Sequence, residues 1–230
     1  MTWSDWVRGA ELEPSIYAAD FARLGAQLEA LLDAGTRIFH FDVGDGHFVS
    51  EITIGPVVLK SISELVHDRG GRLDCHLMVS DPESQFESIK AAGGDSVTFH
   101  TEVARDPAAT IARARELGLG VGVAFNPETE VAAAARAAEG ADLALCMSIH
   151  PGLSGQKFMP EALPRIEELR RSLPADVRVQ VDGGIHADNV RAAREAGADL
   201  LVAGSAVFWQ DDPAAAYRAL TSAIAADVAA

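Results

Sequence analysis

Apolar residues in this chain gather into short runs of strand length, separated by longer stretches where they recur at helical spacing. Eight runs read as strands: ELEPSI, RIFHFD, RLDCHLM, SVTFH, GVGVAF, LALCMS, VRVQVD and LLVAG. The stretches between and after them read as helices at 21–34, 57–67, 82–92, 107–117, 128–139, 160–172, 187–196 and 213–226. Several of these end in glycine, in LLDAGTR, KAAGGDS, RELGLG and REAGADL. Glycine relieves strain where a helix closes in a left-handed conformation. Pro82, Pro107 and Pro160 stand where a first helical turn accepts proline.

Strict strand–helix alternation predicts a parallel sheet. A doubly wound open sheet that bound a dinucleotide would carry G-x-G-x-x-G after its first strand, and PSIYAAD has no glycine there. Eight strands with eight helices fit a closed (β/α)8 barrel, a TIM barrel of α/β class. No linker or shift in composition marks a second domain, so residues 1–230 are expected to form one domain, with 1–10 as an N-terminal extension. Whether Trp3 and Trp6 of that extension cover a barrel end or an interface is open at this point.

Composition narrows the partners. The 230 residues carry a formal charge of −15, with a pI near 4.8, which argues against a nucleic-acid duplex or an anionic membrane surface as partner. Small phosphorylated molecules stay in play, because backbone N–H groups hold phosphate without net positive charge. No apolar run approaches the roughly 18 residues of a membrane span. MTWSDWVRGA has no apolar core of a secretory signal, and Cys75 and Cys146 are isolated in apolar runs, so a reducing cytoplasm with buried thiols is expected.

In a barrel of this kind, chemistry sits at the C-terminal ends of the strands. Those ends carry Ser15; His40 and Asp42; His76, with Met78 following; His100; Met147 and Ser148; Asp182; and Gly204 and Ser205. A single strand histidine is ordinarily a core or rim residue, and a strand-end aspartate ordinarily a turn or cap residue. Converging on one mouth, His40, Asp42, His76 and Asp182 form a donor set for one divalent transition metal. His47 and His100 read as loop or supporting residues. Glycine-bearing turns follow three neighbouring strands: HPGLSGQKF (150–158), VDGGI (181–185) and AGSAVF (203–208). Together they suit a phosphate cradle. A metal, two carboxylates and a phosphate site suit removal of a proton α to a carbonyl and its return from the opposite face, an epimerisation.

PSIYAADFARL, HFDVGDGHFV, CHLMV, NPET, PGLSGQKF, VDGGI and AGSAVF resemble, in order, the motifs of the ribulose-phosphate 3-epimerase family, from Pro14 to Phe208. The resemblance implies a metal-dependent barrel interconverting ribulose 5-phosphate and xylulose 5-phosphate. It implies His40, Asp42, His76 and Asp182 as ligands of one divalent ion, Zn2+ first, with Fe2+, Mn2+ or Co2+ as alternatives. Asp42 and Asp182 would be the acid/base pair, with Ser15, His76 and Asp182 against the substrate. Gly152, Leu153, Ser154, Gly155, Gly183, Gly184, Gly204 and Ser205 would surround its phosphate, and a homo-oligomer is implied. Two departures stand out: Gly44 where the family usually has Met, and His150-Pro-Gly-Leu-Ser-Gly155 where it usually has Asn-Pro-Gly-Phe-Gly-Gly. Loss of a methionine at 44 is expected to leave room for a six-carbon relative such as allulose 6-phosphate. A Schiff-base aldolase would need a strand-end lysine, and Lys60, Lys90 and Lys157 fall in helices or in the 150–158 segment. A non-catalytic sugar-phosphate sensor would typically have lost one carboxylate, yet both remain.

Overall fold

The computed structural model describes residues 3–7 and 9–225. Eight strands, β1 (Glu11–Pro14), β2 (Ile38–Gly44), β3 (Arg72–Met78), β4 (Ser96–His100), β5 (Gly120–Phe125), β6 (Leu143–Met147), β7 (Arg178–Asp182) and β8 (Leu200–Ala203), form one parallel sheet. Each strand pairs with its sequence neighbours, β1 pairs with β8, and a Ser15–His40 bridge joins β1 to β2 and closes the barrel. The helices are α1 (Trp3–Trp6), α2 (Leu24–Asp33), α3 (Pro56–Asp68), α4 (Glu83–Ala91), α5 (Pro107–Glu116), α6 (Val131–Ala137), α7 (Ala162–Ser172), α8 (Val190–Glu195), α9 (Ser205–Phe208) and α10 (Pro213–Ala225).

Boundaries shift from the expected ones for local reasons. The helix expected from 21 opens as a 3-10 turn, because Asp20 caps it by accepting the Ala22 N–H at 3.0 Å. Pro107 does begin α5, with Asp106 accepting the Ala109 N–H at 3.2 Å, whereas Pro160 lies in the turn ahead of α7. β2 runs past Asp42 to Gly44. Residue 226, expected in the last helix, lies outside the described residues. Gly35, Gly93, Gly118 and Gly197 follow their helices with positive φ, as the sequence suggested.

The strands are buried on both faces, so the period of two has to be read by chemistry and not by exposure. Phe39, Phe41, Leu73, Cys75, Leu77, Val97, Phe99, Val179 and Val181 face the helices in one large apolar cluster. The inward positions divide. Ile38, Ala124, Leu143, Leu145, Met147 and Leu200 join Trp3, Trp6 and Val7 in a second cluster, which places the N-terminal residues as a plug in the barrel floor. Above the floor, strands β1 to β4 and β7 turn Glu13, Ser15, His40, Asp42, Asp74, His76, Ser96, Thr98, His100, Gln180 and Asp182 into the lumen.

The lower rim is tied by a repeated device. Asp95, Asp142 and Asp199 each follow a glycine-bearing helix turn, and their carboxylates accept the N–H of Leu73, Val121 and Val179 at 2.9, 2.8 and 3.0 Å. Each also pairs with a nitrogen-bearing side chain, His67, Arg115 or Arg170. These bonds fix the strand starts and hence the height at which the inward residues stand.

Candidate active site

Adjacent parallel strands hold side chains in register, and here the register assembles a site. Asp42 on β2 stands level with His76 on β3, and Met147 on β6 with Asp182 on β7. Asp42 Oδ1 lies 3.2 Å from His40 Nε2 and 3.1 Å from His76 Nδ1; Asp182 Oδ2 lies 4.0 and 3.8 Å from the same two nitrogens. All four donor atoms fall within 4.8 Å of one another. Ligand atoms about 2.0–2.2 Å from a tetrahedral Zn2+ stand about 3.3–3.6 Å apart, so the spacing fits such an ion. His40 Nε2 is buried and makes no hydrogen bond, which is the orphaned polar atom a cation site would leave.

Beneath the four donors lies a layer the sequence reading missed. His40 Nδ1 is 3.2 Å from Asp74 Oδ2, Ser96 Oγ donates to Asp74 Oδ1 at 2.8 Å, and Gln180 Nε2 donates to Asp74 at 2.9 Å and to Glu13 at 2.6 Å. A histidine anchored by a carboxylate at one nitrogen presents a fixed lone pair at the other. A signal was available: Glu13, Asp74 and Gln180 sit two residues before Ser15, His76 and Asp182, so each strand points both to the lumen. His76 and His100 are also fully buried, their Nε2 atoms 2.8 Å apart.

Charge is distributed unevenly between the two site aspartates. Burial pushes the Asp182 carboxyl up, and the neighbouring Asp42 charge pushes it further, to about 7. Burial also opposes ionisation of Asp42, but the imidazoles of His40 and His76 beside it outweigh burial and hold Asp42 well below the usual carboxylate range. Burial works against a charge on His40; Asp42, Asp74 and Glu13 overcome it and raise its pKa. Burial raises Glu13 to about 7 and lowers His100 to about 4. Without a cation the site therefore favours an ionised Asp42 beside an Asp182 that keeps its proton more readily.

A cavity opens above these carboxylates. Ser15, Asp42, Gly152, Leu153, Ser154, Gly155, Asp182, Gly183, Gly204 and Ser205 line it, with Tyr17, Met78, Met147, Ile149, Pro151 and Ile185. Asp42 and Asp182 are the charged residues of this lining. Ser15 Oγ donates to Asp42 Oδ2 at 2.6 Å, tying the rim to the carboxylate.

Two expected residues stand elsewhere. His76 lies below the cavity floor, fully buried. Gly184, with φ +64, packs under the 150–158 segment: a Cβ there would lie 2.4 Å from the Phe158 backbone nitrogen, so it shapes the cradle from behind. His150 points away, paired with Glu128. Asp45 is a turn anchor; its carboxylate accepts the N–H groups of His47, Phe48 and Ser80.

The room expected at Gly44 is not there. A Cβ at 44 would lie 2.8 Å from the Glu51 carbonyl oxygen and 2.9 Å from Val49 Cγ2. The arm from 45 to 53 folds back over this glycine, with Thr53 Oγ1 accepting the Gly44 N–H at 2.6 Å and donating to the Asp42 carbonyl at 2.7 Å. The missing side chain is replaced by neighbouring atoms and not by space.

Residues 11–208 match the model of the ribulose-phosphate 3 epimerase family. The chain is 39% identical over 215 residues to the ribulose-phosphate 3-epimerase of Schizosaccharomyces pombe, covering 94% of each chain. It is 40% identical over 204 residues to the ribulose-phosphate 3-epimerase of Escherichia coli K12, covering 87% of this chain and 90% of that one. Among solved structures it superposes on KGPDC from Streptococcus mutans, with a TM-score of 0.71 at 14% identity, covering 95% and 99% of the two chains. It also superposes on 3-hexulose-6-phosphate synthase from Salmonella typhimurium, with a TM-score of 0.70 at 20% identity and coverage of 94% and 99%. At such low identity these two structures speak for the barrel fold alone.

Proposed function

Since this chain belongs to the ribulose-phosphate 3-epimerase family, we propose that it epimerises ribulose 5-phosphate and xylulose 5-phosphate at C3, with Asp42 and Asp182 as the two proton carriers. The pair of carboxylates at the cavity floor carries this reading: Asp42 from β2 and Asp182 from β7 face one cavity, and each can take or give a proton there. Inversion needs the two protons to travel on opposite faces of a planar reacting carbon, and each strand supplies one carboxylate to that floor. Reversal of the reaction exchanges their roles.

His40, Asp42, His76 and Asp182 would hold one divalent cation, Zn2+ first, with Fe2+, Mn2+ or Co2+ as alternatives. Bound there, the cation supplies Lewis acidity for the negative charge that develops on the substrate oxygens. The chain does the remainder. Asp74 orients His40, Ser15 orients Asp42, and Met78, Met147, Ile149 and Leu153 keep water from the reacting carbons. Phosphate would rest on Gly155, Gly183, Gly204 and Ser205, with Gly152 to Ser154 over it. No lysine or arginine lines this cavity among the described residues, so backbone N–H groups and serine hydroxyls would hold the phosphate. No described helix is long and apolar enough to cross a membrane. The acidic balance of the chain opposes nucleic-acid partners, and a homo-oligomer is expected.

Incubation of ribulose 5-phosphate with the enzyme in D2O should place deuterium at C3 of both epimers; turnover without solvent deuterium would remove the two-carboxylate mechanism. Because the space at Gly44 is filled, kcat/KM should favour ribulose 5-phosphate over allulose 6-phosphate by more than about tenfold, the effect of a misfit of one carbon unit. Equal values for the two sugars would show that the arm over Gly44 yields readily.

Cation binding must also displace protons. Asp182 holds one up to about pH 7, and His40, with its raised pKa, holds another. Affinity of the metal-free protein for Zn2+ should therefore rise with pH, by about a hundredfold per unit below pH 7, where both protons leave, and by about tenfold per unit just above it. Chelator competition across this range measures the slope. A flat profile between pH 6 and 7 would contradict the donor assignment.

A further inference from the structure

We propose that His100 and Glu102 are positioning residues, which hold the hydrogen of His76 on Nε2 and so keep its Nδ1 lone pair turned to the cation. The proposal rests on the reading that His76 is a ligand. It concerns a hydrogen-bonded chain that the reaction itself leaves unused.

His76 Nδ1 faces Asp42 and Asp182, and its Nε2 points away, 2.8 Å from His100 Nε2. Two nitrogens that close share one hydrogen, which belongs to one ring or the other. His100 decides between them. Its remaining nitrogen, Nδ1, lies 3.3 Å from Glu102 Oε2. An ionised carboxylate only accepts, so His100 Nδ1 carries a hydrogen, and its Nε2 in the neutral ring is bare. The hydrogen between the rings then belongs to His76 Nε2. Each bond in the chain points outward from the site: His76 Nε2–H donates to His100, and His100 Nδ1–H donates to Glu102. His40 reaches the same state in one step, through Asp74.

The outer end of the chain is built. Glu102 Oε1 accepts the Asn126 N–H at 2.7 Å and the Thr129 hydroxyl. Arg165 on α7 donates to the Asn126 and Thr129 carbonyls at 2.8 and 3.0 Å. The Phe48 ring packs on His100, with centroids 4.6 Å apart. Thus NPET, at 126–129, serves to aim Glu102, and a line of contacts runs from α7 through the ends of β5 and β4 to the ligand on β3.

Glu102→Gln keeps the shape and reverses the polarity. Its amide must turn N–H either toward His100, which drives that ring to the other tautomer and its hydrogen onto Nε2, or toward the Asn126 N–H, donor against donor. Zn2+ affinity, measured by chelator competition on metal-free protein, should fall by about 10- to 100-fold. Thr129→Val loosens the same carboxylate without reversing it, and should leave affinity within a few fold while lowering Tm. In 15N-histidine-labelled wild-type protein loaded with Zn2+, nitrogen shifts should show His100 protonated at Nδ1 and His76 at Nε2. Wild-type affinity in Glu102→Gln, or His100 protonated at Nε2 in the wild type, overturns the proposal. The second readout needs no variant to fold. Failure of the wild type to hold Zn2+ at all would instead remove the ligand reading, and this one with it.

Discussion

Replacement of Asp42 by Asn will lower kcat/KM by on the order of 10⁴-fold, the upper part of the range for loss of a general base. The side chain does three things at once. Oδ2 accepts from Ser15, Oδ1 faces both site imidazoles, and the charge raises the neighbouring Asp182. An amide reproduces the first, because Ser15 both donates and accepts. It cannot take a proton from carbon, and it is a weaker ligand. With the charge gone, Asp182 of the metal-free protein should fall toward the ordinary carboxylate range. Tm of the metal-free protein should fall, since the fold favours the Asp42 charge beside His40 and the variant leaves that buried imidazole without it. Retention of more than about a tenth of wild-type kcat/KM, against an expected loss this large, would show that another group moves the proton.

The same residues explain what could be read from the chain and what could not. The apolar runs located all eight strands because a parallel sheet is buried on both faces and writes a continuous signal. His40 with Asp42 showed as charge inside such a run, which burial tolerates only when the groups have partners. Their partners were harder to find. Glu13, Asp74 and Gln180 lie on other strands, and what unites them is barrel register, a property of the closed sheet and not of any segment. Each nevertheless stands two residues before a site residue, so the strand period could have found them once the inward face was known. Gly44 misled for a related reason. A missing side chain is legible in a sequence, but whether a neighbour fills its place depends on the path of the 45–53 arm, which no periodicity encodes. Helix boundaries moved where a capping side chain competed with the apolar pattern, as Asp20 does before α2.

The N-terminal tryptophans needed the structure most, and they yield the largest expected change in stability. Trp3→Ala should cost about 3–5 kcal/mol and lower Tm by roughly 6–20 °C. Trp3 is buried in the barrel floor against Ile38, Leu143, Leu145 and Leu200, with its ring 4.9 Å from that of Trp6. Gly120, at the start of β5, admits it: a Cβ there would lie 2.9 Å from the indole nitrogen. Trp6 is held in turn by Arg37, which donates to its carbonyl at 2.5 Å, and by the Arg72 guanidinium 5.8 Å from its ring centre. Removal of the indole opens a cavity among strands too well tied at their lower rim to collapse into it. The plug works through apolar area and not through polar contact, because the Trp3 indole N–H is buried without a partner. Trp3→Phe, which discards that orphaned donor and keeps most of the area, should therefore cost far less than Trp3→Ala. The layer of Glu13, Asp74 and Gln180 separates the floor from Asp42 and Asp182, so kcat should be nearly unchanged in both variants below their melting range. Thermal unfolding of the two side by side decides the matter: equal losses would mean that the indole acts by its shape or its nitrogen, and a Tm drop in Trp3→Ala under about 3 °C would mean that the floor closes without it.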